Sequence, residues 1–265
     1  MLAVIVLLCA ATVILDFLQI SYVADEFRNR MISKIIQQLA GSLAAILLMI
    51  RSKIRLFGKP QNWLYMIPCL LIAIDNFQFS SFFNGRMELE RSQPIDFILF
   101  AGYCLAVGTF EECIFRGIIF AILAGCFSRD KKGFLQTYVV SSLIFAGAHL
   151  FNVFAGAGIG ATLLQVGYTL LTGGLFGFAL IKTKNIFCAA LTHAVYNFCG
   201  LLFDKTQGLG TGIVFDTGTI VTMIVVSVVV GAFVLYKVYT YPEKERSELY
   251  ARLGVKEKKQ NVEEK

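Results

Sequence analysis

The 265 residues are 57% hydrophobic and only 16% charged, with a mean hydropathy of +0.69. Ordinary globular domains carry about 25% charged residues, so this composition excludes a soluble protein and predicts an all-α, polytopic integral membrane helical bundle. The net charge of +6 comes without a basic patch interleaved with aromatics, and it fits membrane-flanking loops rather than a nucleic-acid partner.

In chain order, apolar runs predict spans at 1–23, 34–49, 63–82, 95–127, 134–154, 159–181, 186–203 and 213–236. That is about eight transmembrane helices in a domain covering 1–241. The first run lacks the basic n-region and the small-x-small cleavage site of a signal peptide, so it is read as a span. The run 95–127 is too long for one straight crossing at about 1.5 Å per residue through about 30 Å of hydrocarbon. A break near Gly108 would resolve the excess. With eight spans, one side of the membrane holds 17 of the 24 Lys and Arg residues, in the loops around Arg51, Arg129 and Lys184 and after Tyr236; the other side holds six, and Arg116 is the last. The positive-inside tendency then places both termini in the cytoplasm. After Pro242 the chain becomes Lys/Glu-rich, and 242–265 reads as a polar cytoplasmic tail beside anionic lipid.

Seven cysteines (Cys9, Cys69, Cys104, Cys113, Cys126, Cys188 and Cys199) lie scattered through apolar stretches with no CxxC pair. They predict neither a disulfide framework nor a thiolate metal site, and are read as small buried apolar residues. Asp16, Asp75 and Asp216, within or near spans, are read as interfacial or helix-pairing groups, and Trp63 as an interfacial belt residue.

The most informative stretch is Glu111-Glu112-Cys113-Ile114-Phe115-Arg116, inside the run 95–127. Each ionised group at a helix centre costs roughly 2.5–3.5 kcal/mol on insertion scales, so these side chains must pair or face a polar cavity. Glu112 and Arg116 stand i,i+4 with the acid first, the better orientation for an ion pair. Glu111 is turned about 100° from Glu112, which leaves it free. Cys113 is an unsuitable nucleophile, because neighbouring carboxylates oppose its thiolate. Both histidines also fall in predicted spans. His149 follows Phe145-Ala146-Gly147-Ala148, and His193 shares a helix face with Asn197 at i+4. Between them, Gly173, Gly174 and Gly177 form a small-residue face suited to close helix packing.

Glu-Glu-x-x-x-Arg, Phe-x-x-x-His and His-x-x-x-Asn, in this order within apolar helices, resemble the CAAX prenyl protease and bacteriocin-processing (CPBP, Abi) family of intramembrane endopeptidases. The resemblance spans about 95–203. It implies peptide-bond hydrolysis within the membrane, with Glu111 as the base that activates water and His149 helping to hold that water. His193 and Asn197 would stabilise the oxyanion, with Glu112 and Arg116 supporting the site. No cofactor is required on this reading. The alternative is a Zn2+ ion on Glu111, His149 and His193, against which stand the absence of His-Glu-x-x-His and the rarity of Asn as a zinc ligand. The implied substrate is a small peptide or membrane-anchored segment, in a bacterial cell membrane. Two other classes compete: a non-catalytic bacteriocin-immunity or adaptor protein, and a proton-coupled transporter with Glu111 as carrier.

Overall fold

Nearly every apolar run becomes helix, because backbone surrounded by hydrocarbon has to satisfy its polar groups within its own segment. The computed structural model describes residues 20–154, 156–212 and 216–255. The first predicted span, 1–23, lies almost wholly outside the described residues, with Cys9 and Asp16. Helix α1 (Glu26–Arg51) is capped by Asp25, whose carboxylate accepts from the Arg28 N–H. A 3-10 turn (Trp63–Tyr65) leads into α2 (Met66–Asp75), followed by the short α3 (Phe79–Phe83). Helix α4 (Pro94–Glu112) opens on a proline, whose missing N–H is harmless in a first turn. It continues through a π-helical segment (Cys113–Ile119) into α5 (Phe120–Cys126).

Asp130 caps α6 (Lys131–Ala148), which tightens into a 3-10 turn (His149–Val153). Then come α7 (Ile159–Thr183), α8 (Ile186–Leu201) capped by Asn185, α9 (Thr217–Tyr239) capped by Asp216, and α10 (Glu243–Arg252). Two-residue strands β1 (Glu88–Leu89) and β2 (Gly210–Thr211) pair antiparallel.

Among the described residues, five helices are long and apolar enough to cross a membrane: Glu26–Arg51, Pro94–Cys126, Lys131–Val153, Ile159–Thr183 and Thr217–Tyr239. The expectation of about eight spans is therefore not met among the described residues. The runs 63–82 and 186–203 produce only the shorter apolar helices Trp63–Asp75 and Ile186–Leu201. In the first of these, Gln78 adopts a left-handed conformation (φ 61°) that separates α2 from α3.

The break expected near Gly108 is also absent. Helix α4 runs straight through that position, where a Cβ would lie 2.8 Å from the Ala190 carbonyl oxygen and 3.1 Å from the Ala194 nitrogen. Gly108 is there to let α8 lie against α4. The irregularity comes after the acid pair, where the Phe120 N–H reaches back to the Phe115 carbonyl in the i→i+5 pattern of a π turn. Of the described cysteines, all expected to be buried, Cys199 is only half-buried, and Cys126 is exposed where it closes α5.

The two predicted sets of basic residues occupy opposite ends of the bundle. At one end Arg28 meets Asp96 at 2.7 Å, Arg91 meets Asp25 at 3.0 Å, and Arg86 faces Asp216. At the other, the Arg55 N–H donates to the Arg252 carbonyl at 2.7 Å, and Arg246 Nε donates to the Arg129 carbonyl at 3.0 Å.

The polar tail 242–265 forms, over its described part, a short helix with one solvated face and one buried face. Helix α10 docks at this second end with Leu249, Tyr250 and Leu253 buried, and Tyr241 donates to the Ile181 carbonyl at 2.6 Å. Those apolar side chains fall on one helix face, so the segment is amphipathic despite its charge. Lys184, buried and left-handed (φ 50°) at the end of α7, pairs with Glu248 at 2.5 Å.

Hydrogen bonds from Lys184 and Gln61 hold the Glu248 carboxyl down at about 2, against an ordinary 4.5. A group depressed in the folded state contributes stability above its unfolded pKa and loses it as pH falls through the folded one. The melting-temperature gap between the parent and Glu248→Gln should therefore stay constant from pH 8 to about 5 and close between about 4.5 and 2, as read by thermal unfolding in detergent.

Candidate active site

Helix α4 delivers the acid pair to the bundle interior, where its two members meet different surroundings. Glu112 is fully buried, and its Oε1 accepts from Arg116 Nη1 at 3.1 Å and from His193 Nδ1 at 3.0 Å. Its Oε2 has no hydrogen-bond partner among the described residues. Glu111 keeps 27% of its side chain exposed, with Oε2 3.8 Å from His193 Nε2. The imidazole of His193 is thus bracketed by two carboxylates, one on each ring nitrogen.

Arg116 is 1% exposed. Its Nη2 donates to the Gly173 carbonyl at 2.9 Å, and its guanidinium lies over the Phe145 ring at 4.0 Å. Gly173 allows that contact, since a Cβ there would stand 3.0 Å from the Phe145 ring and 3.2 Å from Arg116 Nη2. Gly174 and Gly177 face Tyr138 in the same way, so the small-residue stripe read from sequence is the surface on which α7 meets α6. The His193 ring stacks on Phe176 (centroids 4.4 Å apart, 14° between planes) and stands edge-on to Phe145 at 5.9 Å.

His149 begins the 3-10 turn after α6, half-buried, with its ring 5.1 Å from Phe145. Its Nδ1 lies 3.0 Å from the Phe145 carbonyl oxygen. A carbonyl only accepts, so in the neutral ring Nδ1 carries the proton and Nε2 is left with a lone pair. Asn197 is half-buried one turn beyond His193 on α8.

Glu111, Glu112, Arg116 and His193 therefore form one contact network. His149 joins it through the shared Phe145 ring, whereas Asn197 is brought near it only by its place one turn beyond His193 on α8. Among the described residues, no three of His, Cys, Asp and Glu converge to hold a metal ion. The alternative set Glu111, His149 and His193 is not assembled as ligands in this geometry.

Phe145, Phe176 and Gly173 were missed as site residues by sequence reasoning. Phe145 carried a signal as the first position of Phe-x-x-x-His, and Gly173 as part of the small-residue face; Phe176 is one of 24 phenylalanines, and nothing local distinguishes it.

Comparison with known proteins yields one family match, over this region. Residues 93–199 match the Rce1-like family, described as type II CAAX prenyl endopeptidase Rce1-like. This Rce1-like segment covers about two-fifths of the chain and contains all three motifs and both histidines. It agrees with the family resemblance drawn from the motifs alone. Neither curated proteins nor solved structures yield a match. With five membrane-length helices around the Rce1-like motifs, the chain is a helical, multi-pass membrane protein.

Removing one member of a buried ion pair strands the other, at a cost of about 3–5 kcal/mol. Arg116→Met should lower stability by that amount in detergent unfolding, and Glu112→Gln together with Arg116→Met by distinctly less than the sum of the single changes. Gly173→Ala should cost about 1–3 kcal/mol through overpacking against Phe145.

Proposed function

We propose that the protein is an intramembrane endopeptidase in which Glu111 activates water for attack on a peptide bond. One observation carries the reading: of two adjacent carboxylates, Glu112 is consumed by Arg116 and His193, while Glu111 stays partly open beside the same imidazole. A general base needs access to a water and a lone pair that no cation holds permanently, and Glu111 meets both conditions.

His149, with its proton fixed on Nδ1 by the Phe145 carbonyl, offers Nε2 as an acceptor to the same water. Glu112 holds His193 at Nδ1, and the ring's Nε2 edge faces Glu111; an N–H at that edge is the donor proposed for the oxyanion as the base takes up the water's proton. Asn197, one turn away on the same helix, supplies a second donor. Glu112 is then a positioning residue that fixes the tilt of His193 through Nδ1.

Each lost oxyanion donor typically costs a factor of about 10²–10³ in kcat. The substrate on this reading is a small peptide or membrane-anchored segment, and the chain resides in a bacterial cell membrane with both termini cytoplasmic. The prenylated CAAX class is carried in the family's description; leader-peptide or bacteriocin processing is the substrate class proposed for this chain.

Comparing secreted and membrane peptides by mass spectrometry, with and without the protein, should reveal products that vanish with Glu111→Gln at unchanged melting temperature. His193→Ala and Asn197→Ala should each cut kcat by about 10²–10³. Full processing by correctly inserted Glu111→Gln would remove the enzyme reading in favour of an immunity or adaptor protein. Proton-coupled flux in liposomes that is lost with that change would favour a transporter.

A further inference from the structure

The 3-10 turn after α6 carries a polar side chain with no part in the chemistry above. At 3.0 residues per turn, positions i and i+3 of a 3-10 helix eclipse, so Asn152 stands on the same edge of His149–Val153 as His149. Asn152 Nδ2 donates to Gln165 Oε1 on α7 at 2.8 Å. Tyr168, three residues along α7, engages the Gln165 side chain. Both amides are only half-buried. They sit where apolar side chains otherwise prevail: Phe151, Phe154, Leu163 and Leu164 are all exposed.

One hydrogen bond between two carboxamides spends one oxygen and one hydrogen. A carbonyl oxygen on one amide and N–H hydrogens on both remain, and Tyr168 can take only one of the Gln165 hydrogens. This holds whichever way the two amides are turned. One acceptor and one donor side by side are the complement of a peptide unit's N–H and C=O. The spacing also fits. Three residues of 3-10 helix rise about 6 Å, and two residues of extended peptide span about 6.6 Å.

We propose that Asn152 and Gln165 clamp the main chain of an extended peptide substrate, two residues from the bond presented to Glu111 and His149. The proposal rests on the endopeptidase reading for its register but not for the binding itself. The clamp grips backbone, so it tolerates varied side chains while demanding an unmodified N–H.

The test uses the full chain carrying Glu111→Gln, reconstituted in nanodiscs, and an acylated library of mixed-sequence twelve-residue peptides. A fully N-methylated copy of the library, which has no backbone donors, is run in parallel. Retention quantified by mass spectrometry should favour the unmethylated library about tenfold. The preference should disappear in Asn152→Leu with Gln165→Leu and return in the reciprocal exchange Asn152→Gln with Gln165→Asn.

Equal retention of the two libraries by the Glu111→Gln protein overturns the proposal whether or not the leucine variant folds. So does a preference that survives the leucine changes, even with a lowered melting temperature, since that pattern belongs to a purely structural tie. A chain with Glu111 restored that shows the preference but cleaves neither library would keep the clamp and remove the endopeptidase reading.

Discussion

A single carboxylate oxygen holds the centre of this protein together. Glu112 Oε1 receives hydrogen bonds from a guanidinium on its own helix and from an imidazole on α8. Arg116 carries the connection on to the Gly173 carbonyl of α7. Three helices are thereby tied through polar groups in a region otherwise built from apolar side chains. Breaking such a network strands a charge where water cannot reach it, so the charges that make the site expensive also make its geometry stiff.

That network exists only because the helices come unusually close. Gly108 removes the side chain that would keep α8 off α4, and Gly173 lets Arg116 lie flat on Phe145. Phe176 covers the outer face of His193. Aromatic walls around charged groups lower the local dielectric and strengthen every interaction inside. Glu111 escapes enclosure through helix geometry alone: one residue along α4 turns it about 100° from its neighbour, enough to leave it open. Two chemically identical side chains so meet different surroundings.

The end of the bundle opposite the Arg28–Asp96 pair has its own brace. Helix α7 turns into α8 at Lys184, a non-glycine residue with φ 50°, and the Lys184–Glu248 pair with the buried Tyr241 hydroxyl packs α10 against that turn. His193 lies two turns into α8, so the direction in which α8 leaves this turn sets where the imidazole arrives. The charged C-terminal segment is part of the scaffold that aims the site.

Helical membrane architecture, the i,i+4 pairing of Glu112 with Arg116, the freedom of Glu111 and the packing face at Gly173, Gly174 and Gly177 were all legible from the chain. Each depends on hydrophobicity or on spacing within one helix, which sequence encodes directly. The π turn after Glu112, the shortness of α2 and α8, and the docking of α10 were not, because those outcomes depend on which neighbour each segment meets. The same division runs through the site. Local spacing by itself determined which groups had to leave the lipid and which acid was neutralised. Only the tertiary structure decided that His193 would stand between both acids with Phe176 on its face, because that contact joins helices some eighty residues apart and no periodicity within either one specifies how they cross.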